Sequence, residues 1–207
     1  MEAVSNHSPS SDALIALHFQ NDICHPQGCI PFSLNRETDD SVRFLEASRN
    51  ALNTARRAGW TIAHMHIVFA QDYSDLLRNC RLFLKTETLG ALKRGSWGAA
   101  AYEGFEPGDG EIFVSGNANS AFRRTDLEAQ LRERRVERVN VMGLATQFSV
   151  EHTVRDAADM GYRVRIFADC CASGDMEAHQ ASLRTLTLLA DVVSSDSVFE
   201  KISARAG

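Results

Sequence analysis

Long apolar runs are missing from this chain of 207 residues. None approaches the roughly 20 residues that a membrane-crossing helix needs, so a membrane is not expected as a partner. The opening stretch "MEAVSNHSPSSD" lacks the basic start and apolar core of an export signal. Residues 1–12 therefore read as a disordered polar tail, and the cytoplasm is the expected location. Positive charge is also in short supply. Lys and Arg number 22 against 27 Asp and Glu, for a net charge of -5 and a pI near 5.8. That balance argues against nucleic acid or an anionic lipid surface. Paired cysteines are lacking too. The five thiols, Cys24, Cys29, Cys80, Cys170 and Cys171, form an odd set without an export signal, which favours free thiols packed as small hydrophobes. Neither the Cys24–Cys29 spacing nor the vicinal Cys170–Cys171 pair follows a zinc pattern. No repeat or low-complexity tract interrupts the chain.

What is present is an alternation of short aliphatic runs and amphipathic stretches. Runs 13–19, 61–69, 136–144 and 162–169 are rich in aliphatic and β-branched residues with little polar alternation, as strands covered on both faces are. Runs 110–116 and 191–199 read as strands at the edges of the sheet. Helices are expected over 40–58, ending at Gly59; over 125–134, opened by Thr125 and Glu128 in a capping-box pattern; over 149–160, ending at Gly161; and from Met176 to Ala190. Segment 70–109, with Pro107 and several glycines, reads as a long, partly helical loop. Such an alternation predicts an α/β fold in three layers: a mostly parallel sheet of about six strands with helices on both faces, as one domain over 13–207.

Open parallel sheets bind ligands beyond the carboxyl ends of their strands. Three such ends bear polar residues: "LHFQNDICHPQG", "VSGNANSAFRRTDL" and "GLATQFSVEH". The last puts Ser149 at a helix entrance, where free N–H groups and the helix dipole favour developing negative charge. The competing explanation is that Ser149 only caps the helix.

The motifs "QNDICHPQG" (20–28) and "SAFRRTDLEAQLRERRVERVNVMGLATQFSVEHTVRDAADMGYRVRIFADCCAS" (120–173), with a closing helix and strand, resemble the isochorismatase-like superfamily of cysteine hydrolases from about residue 13 to 200. The resemblance implies a Rossmann-like sheet, a homodimer or homotetramer, and hydrolysis of small amides or vinyl ethers. It also implies an Asp–Lys–Cys triad, and here the carry-over fails at each position. His18 stands for the aspartate, Gly116 for the lysine and Ser149 for the cysteine. "GLAT" (143–146) survives. In relatives its second and third residues flank a cis peptide, which places one between Leu144 and Ala145, with the Ala145 amide in the oxyanion hole. Loss of the acid and the cation argues against isochorismate as substrate.

Two readings follow. In one, the chain is a rewired hydrolase in which His18 serves as base for Ser149, on a small carbonyl compound. Asp22, Asn117 and Asn119 are candidates to orient the imidazole, Gly116 opens space, and Phe19, Trp97, Tyr102 and Phe148 are candidate pocket walls. In the other, the chain kept the fold, lost the chemistry and binds a small molecule or serves as a scaffold. A half-buried, backbone-bonded His18 is the plain alternative to a functional one. His64 and His66 share one face of a strand, but their order does not reproduce a metal-binding pattern. The sequence calls for no metal or cofactor.

Overall fold

The computed structural model describes residues 10–30, 34 and 38–206. In chain order these form β1 (Asp12–Leu17), α1 (Asn21–Cys24), α2 (Asp39–Arg57), β2 (Thr61–Ile67), α3 (Arg81–Thr88), β3 (Ile112–Gly116), α4 (Leu127–Glu133), β4 (Arg138–Leu144), α5 (Glu151–Asp159), β5 (Arg163–Ala172), α6 (Met176–Leu186), β6 (Asp191–Val193) and α7 (Ser195–Ala206). The strands make one six-stranded sheet in the order β3-β2-β1-β4-β5-β6. Every neighbouring pair is parallel.

Alternation along β1 divides the core. Leu14 and Ala16 face α2 and α7, while Ala13, Ile15 and Leu17 face the layer of α4, α5 and α6. Both sets are buried, which is why the strand shows no polar stripe. Helix α2 is the best-formed element. The Thr38 hydroxyl accepts from the Ser41 N–H at 3.3 Å, Asp39 and Asp40 sit in its first turn, Arg56 and Arg57 in its last, and Gly59 follows with φ +70.

Several boundaries differ from expectation. Of the expected tail, residues 1–9 lie outside the described residues, but Ser11 already accepts bonds from the Glu137 and Arg138 N–H groups and Asp12 opens β1. The run 191–199 is strand only to Val193. Ser195 then starts α7, its N–H and hydroxyl both donating to Asp169. Thr125 does not form a capping box. Its hydroxyl accepts from the Leu127 N–H at 3.3 Å, and α4 begins two residues later than expected. Cys24, Cys170 and Cys171 are buried, and burial raises the Cys171 thiol to about 12. Among the described residues, no helix is long and apolar enough to cross a membrane.

A partly buried cluster ties α2 to the sheet. Glu111 accepts from Arg56 Nε at 2.7 Å and Nη2 at 2.9 Å, from His64 Nε2 at 2.9 Å and from the Gly108 N–H at 2.7 Å. Burial alone would raise the carboxyl, yet these donors hold it down to about 2. Removing the carboxylate leaves Arg56 and His64 without their partner. Glu111→Ala is expected to cost about 2 kcal/mol in urea denaturation. A loss below about 0.5 kcal/mol would show that the cluster is solvated rather than structural.

Candidate active site

The ends of β1 and β4 converge, and each makes an unusual turn. After Leu17 the chain reverses at His18 with φ +60, uncommon for a non-glycine residue, and the His18 N–H donates to the Met65 carbonyl at 2.9 Å. Gln20 locks this reversal. Its side-chain amide donates to the Ile67 carbonyl (3.1 Å) and the Ala99 carbonyl (2.9 Å) and accepts from the Ile67 N–H (3.0 Å). It is fully buried, and sequence reasoning gave it no role. A buried primary amide that meets three backbone groups has no periodic signature.

At the end of β4, Gly143 has φ +131, and a methyl group there would collide with the Leu17 carbonyl. The next peptide, Leu144–Ala145, is cis. A five-residue π-helical turn, Thr146–Val150, follows, with the Ala145 carbonyl accepting from the Phe148 N–H (3.0 Å) and the Val150 N–H (3.4 Å). The expected α-helix therefore does not open at Ser149. Ser149 lies inside the π turn, and α5 starts two residues on. π turns recur at functional sites. Thr146 clamps the corner from behind: its hydroxyl donates to the Ala172 carbonyl (3.1 Å), which leaves His179 Nδ1–H to donate to Thr146 Oγ1 (2.8 Å).

A chamber of about 50 Å³ opens at this corner, lined among others by His18, Asn119, Leu144, Ala145, Phe148 and Ser149. The other expected site residues lie elsewhere. Phe19 is core, stacked on Phe105 at 4.0 Å and on Phe44 at 5.8 Å. Asp22 anchors the long loop, accepting from the Leu92 N–H at 2.7 Å and the Cys29 thiol at 3.2 Å. Trp97 is 52% exposed, edge-on to His25. Asn117 donates to the Asp75 carbonyl at 2.7 Å. Gly116 does not widen the chamber: a methyl group there would meet Thr125, 3.2 Å away, and Met65. Phe19, Asp22 and Asn117 are each held by a partner within the fold.

His18 is the unusual group. It is 2% exposed, and neither ring nitrogen has a hydrogen-bond partner among the described residues, Ser149 included. The Met65 carbonyl, which accepts from the His18 backbone N–H, also lies near the ring and favours its protonated form, but burial outweighs it. Burial first, then the nearby His66 imidazole, lowers its pKa to about 3. The ring is neutral at pH 7. An unsatisfied buried polar atom costs on the order of 1–3 kcal/mol, and strained backbone collects at functional sites.

The Isochorismatase domain family model matches residues 12–197. The chain belongs to the isochorismatase family. An uncharacterized isochorismatase family protein of Escherichia coli O157:H7, YecD, is 27% identical over 157 residues, 76% of this chain and 80% of that protein. The ureidoacrylate amidohydrolase RutB of Stutzerimonas stutzeri is 27% identical over 205 residues, 92% and 82% of the two chains. A cysteine hydrolase from Pseudomonas syringae pv. phaseolicola superposes with a TM-score of 0.82 at 22% identity, covering 96% of this chain and 95% of that one. Of the three positions at which the isochorismatase resemblance places the triad, His18 and Ser149 line the chamber and Gly116 does not.

The buried imidazoles make stability fall in mild acid. Burial holds His18 at about 3 and His66 at about 4, whereas in the unfolded chain both bind a proton near 6.5. Between pH 6.5 and 4.5 the unfolded state thus carries more protons, and stability drops as pH falls, by up to about 1.4 kcal/mol per unit for each neutral histidine. His18→Asn, which tolerates the positive φ, is expected to make the decline shallower by close to one proton in denaturant titrations across that window. An unchanged slope would mean that His18 ionises in the folded protein.

Proposed function

We propose that this protein hydrolyses a small carbonyl compound, an amide or ester, with Ser149 as nucleophile, His18 as proton carrier and the Ala145 amide as donor to the carbonyl oxygen. One observation carries the reading: His18 from the end of β1 and the Leu144–Ala145–Ser149 corner from the end of β4 line the same chamber. Relatives named ureidoacrylate amidohydrolase, and a fold neighbour from Thermoplasma acidophilum named N-carbamoylsarcosine amidase, support an amide bond as the target.

In this scheme Ser149 Oγ attacks the carbonyl carbon, its proton passes to a free nitrogen of His18, and the π electrons move onto the carbonyl oxygen beside the Ala145 amide. Collapse returns that proton to the departing nitrogen or oxygen and leaves an ester on Ser149, which water opens by the same route. A base near pKa 3 is weak on its own. The imidazolium and the oxyanion form together, however, and opposite charges in a poorly solvated site attract strongly. Burial opposes an isolated charge far more than it opposes this pair.

A binder without turnover is the second reading. The missing hydrogen bond between His18 and Ser149 favours it.

An amide and ester panel separates the two. On the hydrolytic reading, Ser149→Ala lowers kcat/KM at least about 100-fold, and an activated ester adds an acyl mass to Ser149 in the unaltered protein only. Undiminished turnover in both Ser149→Ala and His18→Asn would remove the proposed roles. Ligand-dependent thermal stabilisation with neither turnover nor adduct would establish the binder.

A further inference from the structure

We propose that the chamber selects an uncharged carbonyl compound with an apolar flank and turns away its anionic counterparts. The carbonyl in this statement rests on the hydrolytic reading; the selection by charge does not, because it is a property of the walls.

Beyond the corner itself, the walls are Ile23, Ile30, Ile67, Leu82, Phe83 and Leu92, together with Thr86. No Lys, Arg, Asp or Glu is among the described residues that line it. The one titratable group that faces inward is His18, whose burial keeps it neutral. Thr86 is not free to donate to a guest, since its hydroxyl is turned back onto the Leu82 carbonyl of its own helix at 3.1 Å. Polar recognition therefore falls to His18, Asn119, Ser149 and the Ala145 backbone amide, and the rest of a guest meets hydrocarbon. Both unpartnered His18 nitrogens point to a guest that can hydrogen-bond: a neutral imidazole offers one donor and one acceptor, and an amide supplies the complement of each.

A carboxylate would find no resident cation and would have to draw a proton onto the buried His18 ring to gain a countercharge. Its lost hydration is not repaid by neutral dipoles alone, whereas an amide of the same shape loses far less. The chamber is small, about 50 Å³, so a guest sheds much of its hydration on entry.

The experiment compares propionamide with propionate, matched in size, by ligand-observed NMR on the unaltered protein at pH 7. Propionamide is expected to bind in the millimolar range and propionate at least about 100-fold more weakly, equivalent to about 2.7 kcal/mol. Leu82 in α3 is only partly buried, so Leu82→Lys can place an ammonium at the rim while its stem covers apolar surface. That variant is expected to gain propionate binding while retaining propionamide binding. Propionate binding as tight as propionamide, or no binding of either, would overturn the proposal. So would a Leu82→Lys protein that binds propionamide but still ignores propionate. Binding of propionamide without any amide or ester turnover would sink the hydrolytic reading and leave the charge selection standing.

Discussion

The contact on which this site depends is the one between Gly143 and the Leu17 carbonyl. The two strands are neighbours in the middle of the sheet, and their last paired residues face each other in register. With φ at +131 and no side chain, Gly143 lets the carbonyl of β1 come closer than any Cβ would allow. The β4–β5 register shifts at the same place, between Val141 and Gly143. Close approach of β1 and β4 brings His18 and the Leu144–Ala145 corner to opposite sides of one small space. A methyl group at residue 143 would push them apart, and the chamber has no tolerance for that.

The second constraint is the placement of polarity. Around the chamber, most polar side chains are committed to backbone: Gln20 to Ile67 and Ala99, Asp22 to Leu92, Asn21 to the Trp97 carbonyl, Thr146 to Ala172. The first three stitch the long segment between β2 and β3 to the end of β1, and the last ties the β4 corner to β5. His18 is the exception, with two unmet nitrogens in an apolar setting. Folding tolerates that cost because the surrounding backbone bonds over-determine the reversal at residue 18. Gln147 Oε1, Ser48 Oγ and Tyr162 Oη are also buried without a partner among the described residues, but of these groups only His18 lines the chamber.

The layered architecture was legible in the sequence because a strand buried on both faces is mostly apolar, without a polar stripe. Runs 61–69 and 136–144 fit that despite His64, His66 and Asn140, and they became β2 and β4 within two residues. The run 191–199 failed as a strand because "DVV" alone pairs with β5, after which Asp169 caps a helix start at Ser195 from 26 residues away. The π turn before α5 was equally hidden, since it depends on the Ala145 carbonyl serving two N–H groups at once. Aromatic character marked Phe19 as a pocket wall, and a place in the loop after the first strand marked Asp22 as an orienting group. What moved them away was a pair of rings, Phe44 and Phe105, in one case and an unsatisfied Leu92 N–H in the other.

The sequence alone determined the strand and helix alternation, the parallel sheet and the family, because periodicity and motif order are local properties of the chain. It also determined that a histidine and a serine stand at the ends of two strands. Only the tertiary structure decided which side chains share the chamber and that the imidazole is neutral and without a partner. Solvation and hydrogen bonding are set by neighbours that arrive from distant segments, and no spacing along the chain encodes them.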